Sequence, residues 1–238
     1  MLRTLRSFTL GLALLLAPAA ARGAAYDPEL TWRSMTTDRF RITFHGGEEK
    51  LAEQSATILE QAWDELTAEL KTAPRRRIEV VLVDRTDAAN GYAQTIPVNT
   101  IVIYVTAPGE DSTLSSYEDW NQTILTHELV HILHIETVEG LPGAVRAVLG
   151  RVISVNRVSP GWVIEGFATF QETRHTTAGR GRSTIAHMIK RMAALEDGFP
   201  PLGTMDGWIR EPPGGNLRYL FGQDFIQFIA DTRGEDVW

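Results

Sequence analysis

The sequence predicts an α+β protein: a small mixed sheet with a long backing helix, a second helix that carries the chemistry, and a mostly helical C-terminal part. Three observations point there. Short runs of strand character stand at 40–44, 78–83 and 101–105. One long amphipathic stretch spans 48–71. From residue 113 onward, strand signals give way to helical periodicity broken only by Gly- and Pro-containing loops.

The first 25 residues stand apart from the fold. Arg3 and Arg6 form a positive start, Phe8 to Ala17 is a short apolar run, and Ala19-Ala20-Ala21 or Gly23-Ala24-Ala25 offers a small-residue cleavage site. This is the pattern of a signal peptide, and the run is too short for a comfortable membrane span. Residues 1–25 are expected to be removed on export, leaving a periplasmic or extracellular bacterial protein with no stable membrane span.

After a short linker, Phe40-Arg41-Ile42-Thr43-Phe44 alternates apolar and polar, as a half-buried strand does. Gly46-Gly47 ends it. Glu48 to Lys71 reads as the long helix, with Leu51, Ile58, Leu59, Ala62, Trp63, Leu66 and Leu70 on one side and Pro74 beyond its end. Ile78 to Val83 reads as a buried strand, Asn90-Gly91 as a turn, and Ile101 to Val105 as a third strand closed by Pro108-Gly109. That third strand could pair with an extended peptide, as an edge strand can.

The helix that follows holds His127-Glu128-Leu129-Val130-His131. Ile124, Leu125, Leu129, Ile132 and Leu133 recur at helical spacing, and no glycine or proline interrupts 113–139. Ser115-x-x-Glu118 reads as its capping box. Residues four apart share a helix face, so the two imidazoles can grip one Zn²⁺. Glu128 is placed to take the proton of a water activated there.

Gly140-Leu141-Pro142-Gly143 reads as a break. The apolar stretch Val145 to Val155 reads either as a short helix over the site or as a packed connector. Ser159-Pro160 opens a further helix, with Ser159 at the N-cap and Pro160 at the first position. Residues 179–183 read as a polar, flexible loop; Arg180 and Arg182 could meet a substrate carboxylate, but a solvated loop is the preferred reading. Residues 184–196 and 217–230 are the last helices, separated by Pro200-Pro201 and by the 212–215 loop.

Composition narrows the chemistry. The 238-residue chain has a net charge of −7, so it lacks the basic footprint of a nucleic-acid binder. It has no cysteine, so any metal is held by histidine, carboxylate and water. A catalytic zinc wants a third protein ligand. Glu165, in the first turns of the helix after Pro160, is the best candidate; Glu172 and His175 on the same helix stay open. Glu136 and Glu139 are too close to the histidine helix to turn back onto the metal. His134 reads as a core or ligand-supporting residue, His45 and His187 as surface or packing residues, and Trp162 as packing.

The pair of motifs His127-Glu128-x-x-His131 and Trp162-x-x-Glu165-Gly166-Phe167-Ala168 resembles the gluzincins, zinc peptidases with a zincin-like fold. The second motif is similar to the Trp-x-x-Glu-Gly-x-Ala signature of their aminopeptidase-type branch. The resemblance implies zinc held by His127, His131 and Glu165, with Glu128 as general base. It also implies that Tyr219, in Tyr219-Leu220-Phe221-Gly222, supports the oxyanion. Two departures count against a strict aminopeptidase: 33 residues separate His131 from Glu165, longer than that branch's spacing, and its Gly-Ala-Met-Glu-Asn element is absent, Asn99 to Tyr104 standing there instead. The layout is more similar to peptidase MA-like domains of exported bacterial proteins, some of which precede a TolB-like β-propeller.

The expected organisation is therefore a signal peptide (1–25), an α/β zincin subdomain with the histidine helix (26–136) and a mostly helical subdomain bringing the third ligand (137–238). The expected function is hydrolysis of a peptide or protein substrate by a zinc-activated water. The alternative is a catalytically silent, zinc-containing scaffold that docks envelope partners or a C-terminal propeller.

Overall fold

Five strands and six helices are present among the described residues, which are 29–109, 119–151, 154–206, 215 and 217–234 of a computed structural model. The expected signal segment, the capping box at Ser115 and Glu118, and most of the 212–215 loop lie outside them. No helix among the described residues is long and apolar enough to cross a membrane.

The strands are β1 (Trp32–Thr36), β2 (Phe40–His45), β3 (Ile78–Val83), β4 (Asn90–Gln94) and β5 (Thr100–Tyr104). They form one mixed sheet in the order β1-β2-β3-β5-β4. β2, β3 and β5 run parallel at its centre, and β1 and β4 are antiparallel edges. Two of these strands are corrections to the sequence reading. β1 lies in the presumed linker, and the Asn90-Gly91 turn is instead the start of β4, which pairs Asn90 with Tyr104 and Gln94 with Thr100. Consequently β5 is interior and has no free edge for a peptide; β4 has one.

One face of the sheet is apolar. Phe40, Ile42, Ile78, Val80, Leu82, Ile101 and Ile103 are all buried on it. The other face carries pairs such as Arg41 and Glu79, whose guanidinium and carboxylate meet at 2.7 Å. α1 (Glu49–Leu70) covers the apolar face with Ala52, Ala56, Leu59, Trp63 and Leu66. Leu59 and Leu66 are fully buried, each contributing roughly 1.5–3 kcal/mol. α1 ends in a left-handed residue, Lys71, and Pro74 lies beyond.

α2 (Trp120–Glu136) lies in the same core beside α1, and almost its whole circumference is buried. Its N-cap is Asp119, whose side chain accepts from the Gln122 N–H at 2.9 Å. At its other end Asn156 donates to the carbonyls of His134 and Thr137, at 2.8 and 2.6 Å. α3 (Gly140–Leu149) includes the Gly-Leu-Pro-Gly segment read as a break, and it buries no side chain. It neither covers the cleft described below nor packs as an ordinary connector. Arg146 and Arg151 tie its end to Glu136, the latter at 2.8 Å, so Glu136 serves as an anchor.

The remaining helices are α4 (Gly161–His175), α5 (Thr184–Leu195) and α6 (Leu217–Arg233). Ser159 does not cap α4. The carboxylate of Asp206 accepts from the Gly161 N–H instead, and Pro160 stands at the N-cap. α5 is capped by Ser183, which accepts from the Ala186 N–H at 3.3 Å. α4 and α6 cross in backbone contact. A Cβ built on Gly166 would lie 2.4 Å from the Gly222 carbonyl carbon, and one on Gly222 would lie 2.4 Å from the Trp162 oxygen. Only glycine at both positions permits this crossing.

Candidate metal centre

α2 and α4 bring the predicted ligands together. His127 and His131 lie one turn apart on α2 with ring centroids 4.6 Å apart. Glu165 comes from the second turn of α4. Its Oε2 is 3.4 Å from His127 Nε2 and 3.2 Å from His131 Nε2. Tetrahedral zinc with ligands at about 2.0–2.1 Å requires ligand edges of about 3.3 Å. Both edges to Glu165 thus stand at the spacing such an ion demands, and one ligand atom from each of the three residues lies within 4.8 Å of the others. Glu165 Oε2 is buried and makes no hydrogen bond, which a bound cation would remedy. The donor set of two imidazoles and one carboxylate suits zinc.

The alternative ligands on α4 have other partners. His175 faces α1, with Nδ1 3.0 Å from Glu65 and Nε2 2.9 Å from Glu69. Glu172 is fully buried behind His127, its Oε2 2.6 Å from the ring Nδ1. Glu172 can only accept, which favours Nδ1–H and an Nε2 lone pair facing His131 and Glu165; Arg180 Nη2, which can only donate, stands 2.6 Å from the same Nδ1 and competes with that arrangement. Carboxylates in this position hold the tautomer and orientation of metal-ligating histidines.

Arg180 completes this support, and the sequence reading missed it. The solvent-facing loop is a turn folded against α4, and Arg180, half-buried, lies over Glu172. Its Nε donates to Glu172 Oε1 at 2.8 Å and its Nη2 to Oε2 at 2.7 Å. Its backbone N–H also donates to Oε1, at 3.0 Å. Burial alone would raise the Glu172 carboxyl, but the Arg180 charge and hydrogen bonds, with that from His127, outweigh it and hold it at about 2. The same Nη2 lies 2.6 Å from His127 Nδ1 and 3.3 Å from its Nε2, so the guanidinium borders the triad.

Glu128 sits beside the triad, 4 % exposed, with Oε2 free of hydrogen bonds. Burial pushes its carboxyl up to about 7; His131 opposes the rise and Glu165 adds to it. A carboxyl in that range suits proton transfer near neutrality. Glu165 differs: burial would raise it, but the closeness of His127 and His131 outweighs this and holds it below the usual carboxylate range.

Tyr219 is on α6, three residues before the crossing glycine. Its ring stacks on His127 at 6.0 Å and lies under the Arg180 guanidinium at 4.6 Å. Burial raises its phenol above the ordinary value, with Glu165 adding to the rise. His127, Glu128, His131, Glu165, Arg180 and Tyr219 all line one cleft of about 660 Å³, which runs along Asn90 to Ala93 of β4. Gly91 keeps that wall close, since a Cβ there would meet Glu128 Cγ at 3.3 Å.

His134 and Trp162 have packing roles. His134 packs edge-on against Phe167 at 5.2 Å, and burial lowers its imidazole to about 4, aided by His131. Trp162 packs against Phe225 at 5.2 Å. No protein-family model and no curated protein matches this chain.

Proposed function

We propose that the chain is a zinc-dependent peptidase of the gluzincin type, built on a zincin-like fold. The observation that carries this is the convergence of His127 Nε2 and His131 Nε2 on Glu165 Oε2, at 3.4 and 3.2 Å, beside a buried glutamate in an open cleft. The helical spacing of His127 and His131 and the crossing of α4 with α6 both support it.

Zinc held by those three side chains would act as Lewis acid toward the scissile carbonyl and the attacking water. Glu128 accepts the proton of that water and returns it to the leaving amine. Tyr219, which lines the same cleft and stacks on His127, is the candidate donor to the developing oxyanion. Glu172 orients His127 and favours an available Nε2 lone pair. The free edge of β4 offers backbone groups to an extended peptide, which would lie along the triad. Export through residues 1–25 and action on envelope or extracellular proteins belong to the same proposal.

Elemental analysis of the purified chain tests the metal site. Glu165→Ala is expected to hold about one zinc fewer per chain than wild type after dialysis against micromolar zinc. An unchanged zinc content in the variant would remove Glu165 from the ligand set, and the gluzincin assignment with it.

A further inference from the structure

A second group of ligand-capable side chains lies outside the cleft. His45 ends β2, Glu48 precedes α1 and Asp84 follows β3, and one ligand atom from each lies within 4.8 Å of the others. Their meeting follows from the topology. β2 and β3 are parallel neighbours, so their C-terminal ends lie side by side. Between His45 and Glu48 the chain reverses through Gly46-Gly47, and Gly47 takes a φ of +104° that favours glycine. The reversal is closed by the Glu48 N–H donating to the His45 carbonyl at 3.3 Å.

Their protonation chemistry is incomplete without another species. His45 Nδ1 is 3.1 Å from the Gly46 carbonyl, which can only accept, so Nδ1 carries the hydrogen. Nε2 then faces Glu48 Oε1, 3.2 Å away, yet is buried without a hydrogen bond. Glu48 is only 7 % exposed, and its Oε2 is likewise buried and unpartnered. The third group is a further carboxylate. An imidazole lone pair and two carboxylates repel one another. Without an ion, the cluster must hold a proton between Glu48 and Asp84, and burial and the Asp84 charge raise the Glu48 carboxyl accordingly; His45 Nε2 then still lacks a donor or a charge to meet. One divalent cation would serve all three.

We infer that His45, Glu48 and Asp84 form a second divalent-cation site, which fastens the β2–α1 turn to the end of β3. The imidazole and the small donor number favour zinc over calcium or magnesium, which prefer larger all-oxygen shells. Asp84 is exposed, so an ion can enter from solvent and keep a water as a further ligand. The ring of His45 is also held edge-on by Trp32, at 6.1 Å.

The test uses the full chain with zinc as the only probe. Equilibrium dialysis with elemental analysis compares wild type, Asp84→Ala, Glu165→Ala and the double variant, and thermal melts are run with and without zinc. Wild type is expected to bind about two zinc ions, each single variant about one, and the double variant almost none. Zinc should raise the Tm of Glu165→Ala and not that of the double variant. Because Asp84 is exposed, its loss should not unfold the chain, and His45→Gln should repeat the result. If Asp84→Ala binds as much zinc as wild type while Glu165→Ala loses it, the inference is overturned and His45–Glu48 is an ordinary ion pair. If instead Asp84→Ala loses zinc and Glu165→Ala does not, this site stands and the cleft assignment falls.

Discussion

Glu128→Gln is expected to lower turnover of a quenched peptide library by about 10²–10⁴-fold while leaving zinc content at the wild-type level. Glutamine keeps the volume of the side chain, so the packing around Ile124 and Gly91 is preserved. It cannot accept a proton. Glu128 is one residue from His127 yet is not one of the converging ligands, so its loss separates base chemistry from metal binding. The assay therefore needs both readouts on the same preparation. A variant that cleaves as fast as wild type would remove Glu128 from the mechanism. Absence of cleavage in both proteins, with zinc present in both, would favour the scaffold over the peptidase, because a purely structural ion needs no neighbouring base.

Gly222→Ala has the largest expected effect on stability. The new methyl carbon would lie 2.4 Å from the Trp162 oxygen and 2.9 Å from Gly166 Cα, both backbone atoms that cannot rotate away. The two helices must separate, at a cost of about 1–3 kcal/mol or more. For a chain of this length that corresponds to a fall in Tm of about 2–12 °C. Because α4 also carries Glu165, the same displacement should weaken zinc binding. Gly203→Ala is the control, since nothing lies within 4 Å of the added carbon. Equal melting of both variants would show that the crossing is looser than its distances indicate.

The candidate site was more legible than the sheet. His127, Glu128 and His131 were readable because a four-residue spacing has one meaning on a helix. Glu165 was readable through its neighbours, and the structure supplies a physical reason: Gly166 is there to let α6 touch α4, and Gly222 answers it three residues after Tyr219. The edge strands were not readable. β1 is Trp-Arg-Ser-Met-Thr, largely exposed and without alternation, and β4 begins with Asn-Gly, which in isolation favours a turn. Pairing with β2 and β5 decides both, and pairing leaves no local mark. Arg180 was hidden for a related reason. Gly-Arg-Gly-Arg-Ser has the composition of a solvated loop, and only the position of a buried carboxylate two turns back along α4 makes one of its arginines internal. The cap of α4 comes from Asp206, 45 residues away, where Ser159 offered a local but unused alternative.

The long interval between the histidines and Glu165 also has a dynamic consequence. α3 holds Leu141, Val148 and Leu149 at 78, 82 and 65 % exposure, so unwinding it surrenders almost no buried surface. Arg151 and Asn156 fasten the segment at its far end, to Glu136, His134 and Thr137, while α2 and α4 meet each other independently of it. Amide protons of 141–149 should therefore exchange with solvent well before those of 124–133, through an opening that leaves the triad assembled. Deuterium uptake at the two helices would check this, and equal rates would mean that α3 opens only when the core does.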